Sequence, residues 1–254
     1  MLENIIEIFI LSIIQGVSEF LPISSSSHLI IISTLFEFKS SSLLIDISLH
    51  LGSLFAIIFF YRTDILNFQN SKKFISLIVL GSLPLIIVGF ILYITDLINI
   101  FRDVKIIAWT TIIFAILLFF ADRTKFELSI DKNLSLKSIC IIGLFQILSL
   151  IPGVSRAGIV ITGARFLKFN RTDSAKISFL LSIPALFGAS VLGLNDILKQ
   201  DTELNYLAIL AIIFSFLFSF ITVKFFLEFI KKFTMNIFVI YRILLGLFLL
   251  FLVY

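Results

Sequence analysis

Residues Gln15–Ser33 read QGVSEFLPISSSSHLIIIS. Between Gln15 and His28 this stretch gathers a glutamine, a glutamate, a proline, the serines Ser18 and Ser24–Ser27, and a histidine. Its surroundings are among the most apolar a protein can have. The chain has 254 residues, 59% of them hydrophobic and 14% charged. A soluble domain carries roughly 25% charged and about 45–50% apolar residues. The excess is too large for a bigger core, so the class is an all-α integral membrane protein, and disorder is excluded by the same numbers. The 31 phenylalanines fit lipid-facing bulk.

A net charge of +4 raises the question of nucleic acid. The basic residues sit in short loops between apolar runs, without an arginine-rich stripe or aromatic platform, which argues for membrane topology and against nucleic acid. The single cysteine, Cys140, rules out a disulfide framework or a paired-cysteine metal site. The start, MLENIIEIFILSII, has Glu3 and Glu7 where a signal peptide carries basic residues, and is expected to belong to the mature protein with both glutamates on a solvated face.

Runs long enough to span are expected at 43–61, 74–94, 104–121, 176–194, 204–223 and 236–254. Loops 62–73, 122–137, 168–176 and 224–232 are rich in Lys and Arg, whereas 95–105 and 195–203 hold only Arg102, Lys105 and Lys199. The positive-inside rule puts the rich loops in the cytoplasm and the C-terminus outside. Segments 1–35 and 138–167 do not fit as simple spans. Each is broken in its middle by polar residues, Gly and Pro, and is expected to be a re-entrant hairpin, the first entering from outside and the second from the cytoplasm.

The two halves resemble each other. QGVSEFLPISSSSH and QILSLIPGVSRAG align Gln15 with Gln146 and Ser18 with Ser149, each followed by a proline and a serine-bearing loop. DISLHLGSLFA and SFLLSIPALFG follow, pairing His50 with Ser182, and two further spans complete each half. The expected architecture is an inverted-topology repeat in a single membrane domain, with repeat one at 1–121 and repeat two at 136–254. Each half is a broken-helix hairpin plus three spans, and such folds place their site where the breaks meet. Irregular backbone at that depth survives only inside protein or along a wet cavity.

Pro22 stops one helix and Ser24–Ser27 can cap the next, whose free N–H groups would attract an anion. The plainer alternative is that Ser24, Ser25, Ser26 and Ser27 only cap. In the second loop Gly153 and Gly158 flank Ser155 and Arg156. Glycine allows the turn that points successive N–H groups at an anion, and arginine offers a planar fork for phosphate. Arg156 could instead serve only as the ion-pair partner of Glu19. That carboxylate could act as a general base or hold a divalent cation. His28 could be a general acid, a nucleophile, or a hydrogen-bonding core residue. His50 is a weaker candidate for an inward position. Arg165 and Arg242 are expected to snorkel to the surface.

These motifs resemble those of the undecaprenyl-diphosphate phosphatase family of bacitracin-resistance type. QGVSEFLPISSSSH is similar to its (E/Q)xxxE region running to a histidine, and PGVSRAG to its PGxSRSG region. The helices LLIDISLHLGSLFAIIFFYR and ISFLLSIPALFGA and the final YRILLG extend the likeness over nearly the whole chain. Ser27 stands where the family usually has glycine, and Ala157 where it has serine; both changes are small.

The resemblance implies a bacterial inner-membrane enzyme, opening to the outer face, that removes the terminal phosphate of undecaprenyl diphosphate. The product is the lipid carrier for cell-wall synthesis. It puts Gln15 and Glu19 at the paired positions, Ser24, Ser25 and His28 at the serine and histidine positions, and Ser155 and Arg156 in the second loop. Taken with the reading of the loops, catalysis is expected of Glu19, Ser25, His28 and Arg156, and substrate binding of Gln15, Ser24, Ser26, Ser27, Gly153, Ser155 and Gly158. Mg²⁺ or Ca²⁺, with Glu19 as ligand, is the implied cofactor. The expected partners are the polyprenyl diphosphate and the bilayer, with a homodimer left open. A transporter or flippase of polyprenyl phosphate would use the same cleft and is the rival reading. The other class of membrane lipid phosphatase fits less well, because SSSSH replaces its PSGH and no histidine follows Ser155–Arg156.

Overall fold

The computed structural model describes residues 2–253 except 37, 39–41, 67, 96, 98–102, 126 and 200–205, and leaves the side chains of 26, 30, 33–35, 68–71 and 195–199 undescribed. The fold is helical. α1 (Leu2–Ser18), α2 (Ser25–Phe36), α3 (Leu43–Phe60), α4 (Arg62–Leu66), α5 (Phe68–Ile94) and α6 (Val104–Asp122) form the first half. After α7 (Ile130–Asn133), the second half comprises α8 (Leu136–Ile147), α9 (Arg156–Phe166), α10 (Arg171–Lys199), α11 (Tyr206–Lys232) and α12 (Asn236–Val253). A short 3₁₀ turn, Leu148–Leu150, extends α8. Among the described residues the only extended pairing is one bridge, Leu128 to Phe169.

Six helices are long and apolar enough to cross a membrane: Leu43–Phe60, Lys72–Ile94, Val104–Asp122, Arg171–Leu194, Tyr206–Lys232 and Asn236–Val253. Five coincide with the expected runs to within about five residues; Tyr206–Lys232 continues through the basic stretch 224–232 that was expected as a loop, and the chain is a multi-pass membrane protein. Large apolar side chains such as Ile87, Phe120, Phe225 and Phe251 point outward, as lipid requires. Polar caps set the helix starts: Ser42 accepts from the Ile45 N–H, Asp103 from Lys105, and Ser135 exchanges bonds with Ser138.

Helices interrupted at Glu19–Ser24 and at Ile151–Ser155 occupy the two segments that failed as spans. α1 packs against α2, and α8 against α9. Across the halves, α1 lies on α11 and α8 lies on α5, while α3 meets α10 and α6 meets α12. Small residues permit the closest of these approaches. A Cβ on Gly52 of α3 would strike the Ile212 carbonyl of α11, and one on Gly143 of α8 would strike the Gly81 carbonyl of α5.

Three charged residues also depart from expectation. Arg165 and Arg242 do not snorkel: they are 1% and 0% exposed. Backbone carbonyls already surround both guanidinium groups, so reaching water would forfeit hydrogen bonds made inside. Arg165 donates to the carbonyls of Phe169 (2.6 Å), Thr124 (3.0 Å) and Asp122 (3.1 Å). Asp122 itself takes a two-pronged bond from Arg171 (2.7 and 3.0 Å) and the Met235 N–H (3.1 Å), tying together α6, α10 and the start of α12. Glu7 is buried on the face where α1 packs, whereas Glu3 is exposed as expected.

Candidate active site

Both breaks end in the same backbone device. Ser24 and Ser155 each immediately precede a helix and each has positive φ, 75° and 68°. That conformation swings the chain from one helix into the next within a few residues, and brings α2 and α9 to a common cleft. The Ser155 hydroxyl accepts the Gly158 N–H at 3.1 Å, a conventional N-cap. Ser24 instead shares a hydrogen bond with the Ser27 hydroxyl at 3.0 Å, and Ser27 is fully buried.

Glu19 is the centre of the cleft. Its Oε1 accepts from Arg156 Nη2 at 2.6 Å, and its Oε2 accepts from the Ser25 hydroxyl at 2.7 Å and from Gln15 Nε2 at 3.0 Å. The Glu19 and Arg156 side chains are 6% and 12% exposed, so this is a largely desolvated pair. The other arm of Arg156, Nη1, donates to the Ser178 carbonyl at 3.1 Å. Behind Glu19, Gln15 is fully buried and also reaches Ser53 at 3.5 Å. Ser53 in turn bonds Ser219 (2.9 Å) and Ser215 (3.1 Å), so a chain of amide and hydroxyl groups fastens α1, α3 and α11 around the carboxylate.

A cavity of about 210 Å³ lies in front of this cluster, lined by Glu19, Ser24, Ser25, His50, Ser149, Ser155 and Arg156 on its polar side and by Ala185, Leu186 and Ala189 of α10. The expected residues Glu19, Ser24, Ser25, Ser155 and Arg156 therefore meet across the halves. Gln15 and Ser27 stand behind the lining. The Gly158 amide is engaged by Ser155, and the absence of a side chain there leaves room for Arg242, whose Nη1 would lie 3.1 Å from an added Cβ. The Ser26 side chain is outside the described residues.

The two histidines sit differently with respect to the cavity. His28 Nδ1 donates to the Ser24 carbonyl at 2.6 Å, which leaves the neutral ring to accept at Nε2 from the Tyr241 hydroxyl at 2.5 Å. The rings of His28 and Tyr241 stack with centroids 5.7 Å apart, away from the cavity lining. His50 does line the cavity. Its Nδ1 donates to the Asp46 carbonyl at 2.7 Å, and its Nε2 lies 4.0 Å from Glu19 Oε2.

Arg242 is the residue that sequence reasoning placed elsewhere. It donates through Nη2 to the carbonyls of Gly153 (2.9 Å) and Val154 (3.0 Å), and through Nη1 to that of Pro22 (3.4 Å). One buried side chain of α12 thus touches both loops. The signal was available, because an arginine inside a membrane span is expensive and points inward by default.

Fold and cleft define a multi-pass membrane protein whose cavity, at the starts of two helices, is lined by a carboxylate, an arginine and serine hydroxyls. A family model described as bacitracin resistance protein BacA matches residues 8–248. An undecaprenyl-diphosphatase of Pelagibacter ubique is 58% identical over 255 aligned positions, covering 100% of both chains. Those of Elusimicrobium minutum and Alteromonas mediterranea are 40% and 39% identical, covering 93% and 96% of each chain. The chain belongs to the bacitracin resistance protein BacA family.

Proposed function

We propose that this protein is an undecaprenyl-diphosphate phosphatase, releasing inorganic phosphate and the lipid monophosphate. The observation that carries the reading is Glu19, which accepts the Ser25 hydroxyl at 2.7 Å and the Arg156 guanidinium at 2.6 Å in one cavity. A nucleophile and base within hydrogen-bonding reach, beside a cation suited to phosphate, exceed what a carrier needs to bind its cargo. The relatives bearing the phosphatase name weigh the same way.

The chemistry follows from these contacts. Phosphate oxygens compete for Arg156 and draw it from Glu19, so substrate arrival raises the basicity of the carboxylate. Glu19 takes the Ser25 proton as Oγ attacks the terminal phosphorus. The anhydride bond breaks, the lipid monophosphate leaves, and phosphoserine remains. Glu19 gives up the first proton as the lipid monophosphate departs; water then attacks the phosphoserine phosphorus and passes its proton to Glu19, which hands it to the departing Ser25 Oγ, restoring Ser25 and freeing inorganic phosphate. Arg156 and the amides at the start of α9 neutralise charge on the equatorial oxygens. His28, bonded at both ring nitrogens, holds the start of α2 in place, and His50 is the imidazole that borders Glu19.

Glu19 is the only carboxylate lining the cavity among the described residues, and no cluster of three His, Cys, Asp or Glu side chains occurs there. Those donors fit Mg²⁺ or Ca²⁺ arriving on the diphosphate, with Glu19 as its one protein carboxylate, rather than a resident ion. Such an ion supplies positive charge at the phosphate oxygens.

Matched breaks, paired left-handed serines and the reciprocal packing of α1 on α11 and α8 on α5 support an inverted repeat of 1–121 and 136–254 with re-entrant hairpins. The charge-poor loops 95–105 and 195–203 support a site opening to the outer face of the bacterial inner membrane. α10 contributes Ala185, Leu186 and Ala189 to the cavity.

Phosphate release from farnesyl diphosphate by the purified chain, with Mg²⁺ and with a chelator, tests the activity. Acid-quenched wild type carrying phosphate on Ser25, absent from Ser25→Ala, supports the covalent route. Turnover by a folded Ser25→Ala variant at the wild-type rate excludes it and leaves water as the attacking group.

A further inference from the structure

Arg242 is fully buried in the bundle, and no carboxylate lies within ion-pair distance of it among the described residues. Its charge is compensated only by the carbonyls of Gly153, Val154 and Pro22. A buried cation is costly, and one needed merely for packing could be replaced by an apolar side chain. The choice of partners shows what the guanidinium does instead.

A peptide unit is planar and trans, so its N–H points opposite to its C=O. Drawing the Val154 carbonyl onto Nη2 turns the Ser155 N–H away from Arg242. Among the described residues that N–H meets no acceptor, whereas the Val154 N–H is engaged by the Ile151 carbonyl at 3.3 Å. Gly153 and Ser155 both have positive φ, 91° and 68°, so the loop turns sharply on either side of Val154 before α9 begins. Ser155 lines the cavity beside Ser25. Thr110 and Thr111 of α6 hold the far side of the same loop, at the Pro152 (2.7 Å) and Gly153 (3.4 Å) carbonyls.

We propose that Arg242 is a positioning residue for phosphoryl transfer. It aims the Ser155 amide at a non-bridging oxygen of the terminal phosphate and, through Pro22, fixes how far that amide stands from Ser25. This rests on the phosphatase reading above. The amide is matched to charge that grows in the transition state, so Arg242 acts on kcat and leaves ground-state binding to Arg156.

The test is steady-state phosphate release from farnesyl diphosphate by the full chain in detergent. Wild type, Arg242→Met and Arg242→Lys are compared, each checked for folding by Trp109 fluorescence melting and gel filtration. Removing one oxyanion donor costs about 10²–10³ in kcat. Arg242→Met is expected to lose about 10²-fold in kcat with KM within about threefold, and added guanidinium or Arg242→Lys to recover part of the loss. A folded variant with wild-type kcat, or one altered only in KM, overturns the proposal. Should Arg242→Met fail to fold, a folded Arg242→Lys with unchanged kcat overturns it equally. Absence of release by wild type overturns the phosphatase reading, and this proposal with it.

Discussion

Ser24 and Ser155 both have positive φ, 75° and 68°, each at the last position before a helix. Their sequence separation equals that between Gln15 and Gln146, and between Ser18 and Ser149. Left-handed backbone costs a residue with a side chain roughly 1–2 kcal/mol, which glycine escapes. Ser155 also caps α9 through Gly158, a contact whose loss costs about 0.5–2 kcal/mol. Ser155→Gly is therefore expected to melt above Ser155→Ala, because it loses the cap but sheds the strain. Equal melting temperatures would show that the turn carries no strain at this position.

The Glu19–Arg156 pair makes a second prediction. Removing one partner of a desolvated ion pair costs about 3–5 kcal/mol, because the other charge is stranded. Glu19→Gln and Arg156→Gln are each expected to lower stability by that order, and the double variant by less than the sum. Thermal unfolding of the four proteins closes the cycle. Strict additivity would mean that the two groups do not interact in the folded protein. Phosphate release should collapse in all three variants.

Close helix contacts set a third. A Cβ at Gly52 or Gly143 meets a carbonyl of the neighbouring helix, which cannot move as a side-chain tip can. Gly52→Ala and Gly143→Ala are expected to destabilise by about 1–3 kcal/mol, the cost of overpacking. Gly188, with open space around its Cβ position, is the control: Gly188→Ala should melt no lower than wild type. A comparable loss there would attribute the effect to something other than contact.

At the basic end of the bundle, Asp122 is 3% exposed and takes a two-pronged bond from Arg171 while lying 3.6 Å from Arg165 Nε. Asp122→Asn is expected to cost about 3–5 kcal/mol of stability. Phosphate release per folded molecule should not change, because this cluster does not border the cavity. A specific loss of turnover in folded Asp122→Asn would assign the cluster a role in the reaction.

The six spans and both interruptions were legible because lipid allows few solutions. Long apolar runs must be helices there, and Pro22, Pro152 and the serines inside two such runs had to be held by protein. Glu19, Ser25 and Arg156 stood out for the same reason. The histidines were harder. Ring orientation depends on which helix lies opposite, and for His28 that helix is α12, supplying Tyr241. For Arg242 the cost of a cation inside a span was the available sign that it faces protein, but the carbonyls that hold it belong to Pro22, Gly153 and Val154, far away in the chain.

By itself the sequence determined the class, the spans, the two breaks and the chemical inventory of the cleft, since these follow from local apolarity, proline and capping. Only the tertiary structure decided that Glu19 bridges Ser25 and Arg156, that His50 borders this cluster while His28 turns to Tyr241, and that Arg242 joins both loops. Those relationships arise between residues far apart in the chain. The packing of α1, α3, α9, α10 and α12 sets their distances, and no local rule encodes it.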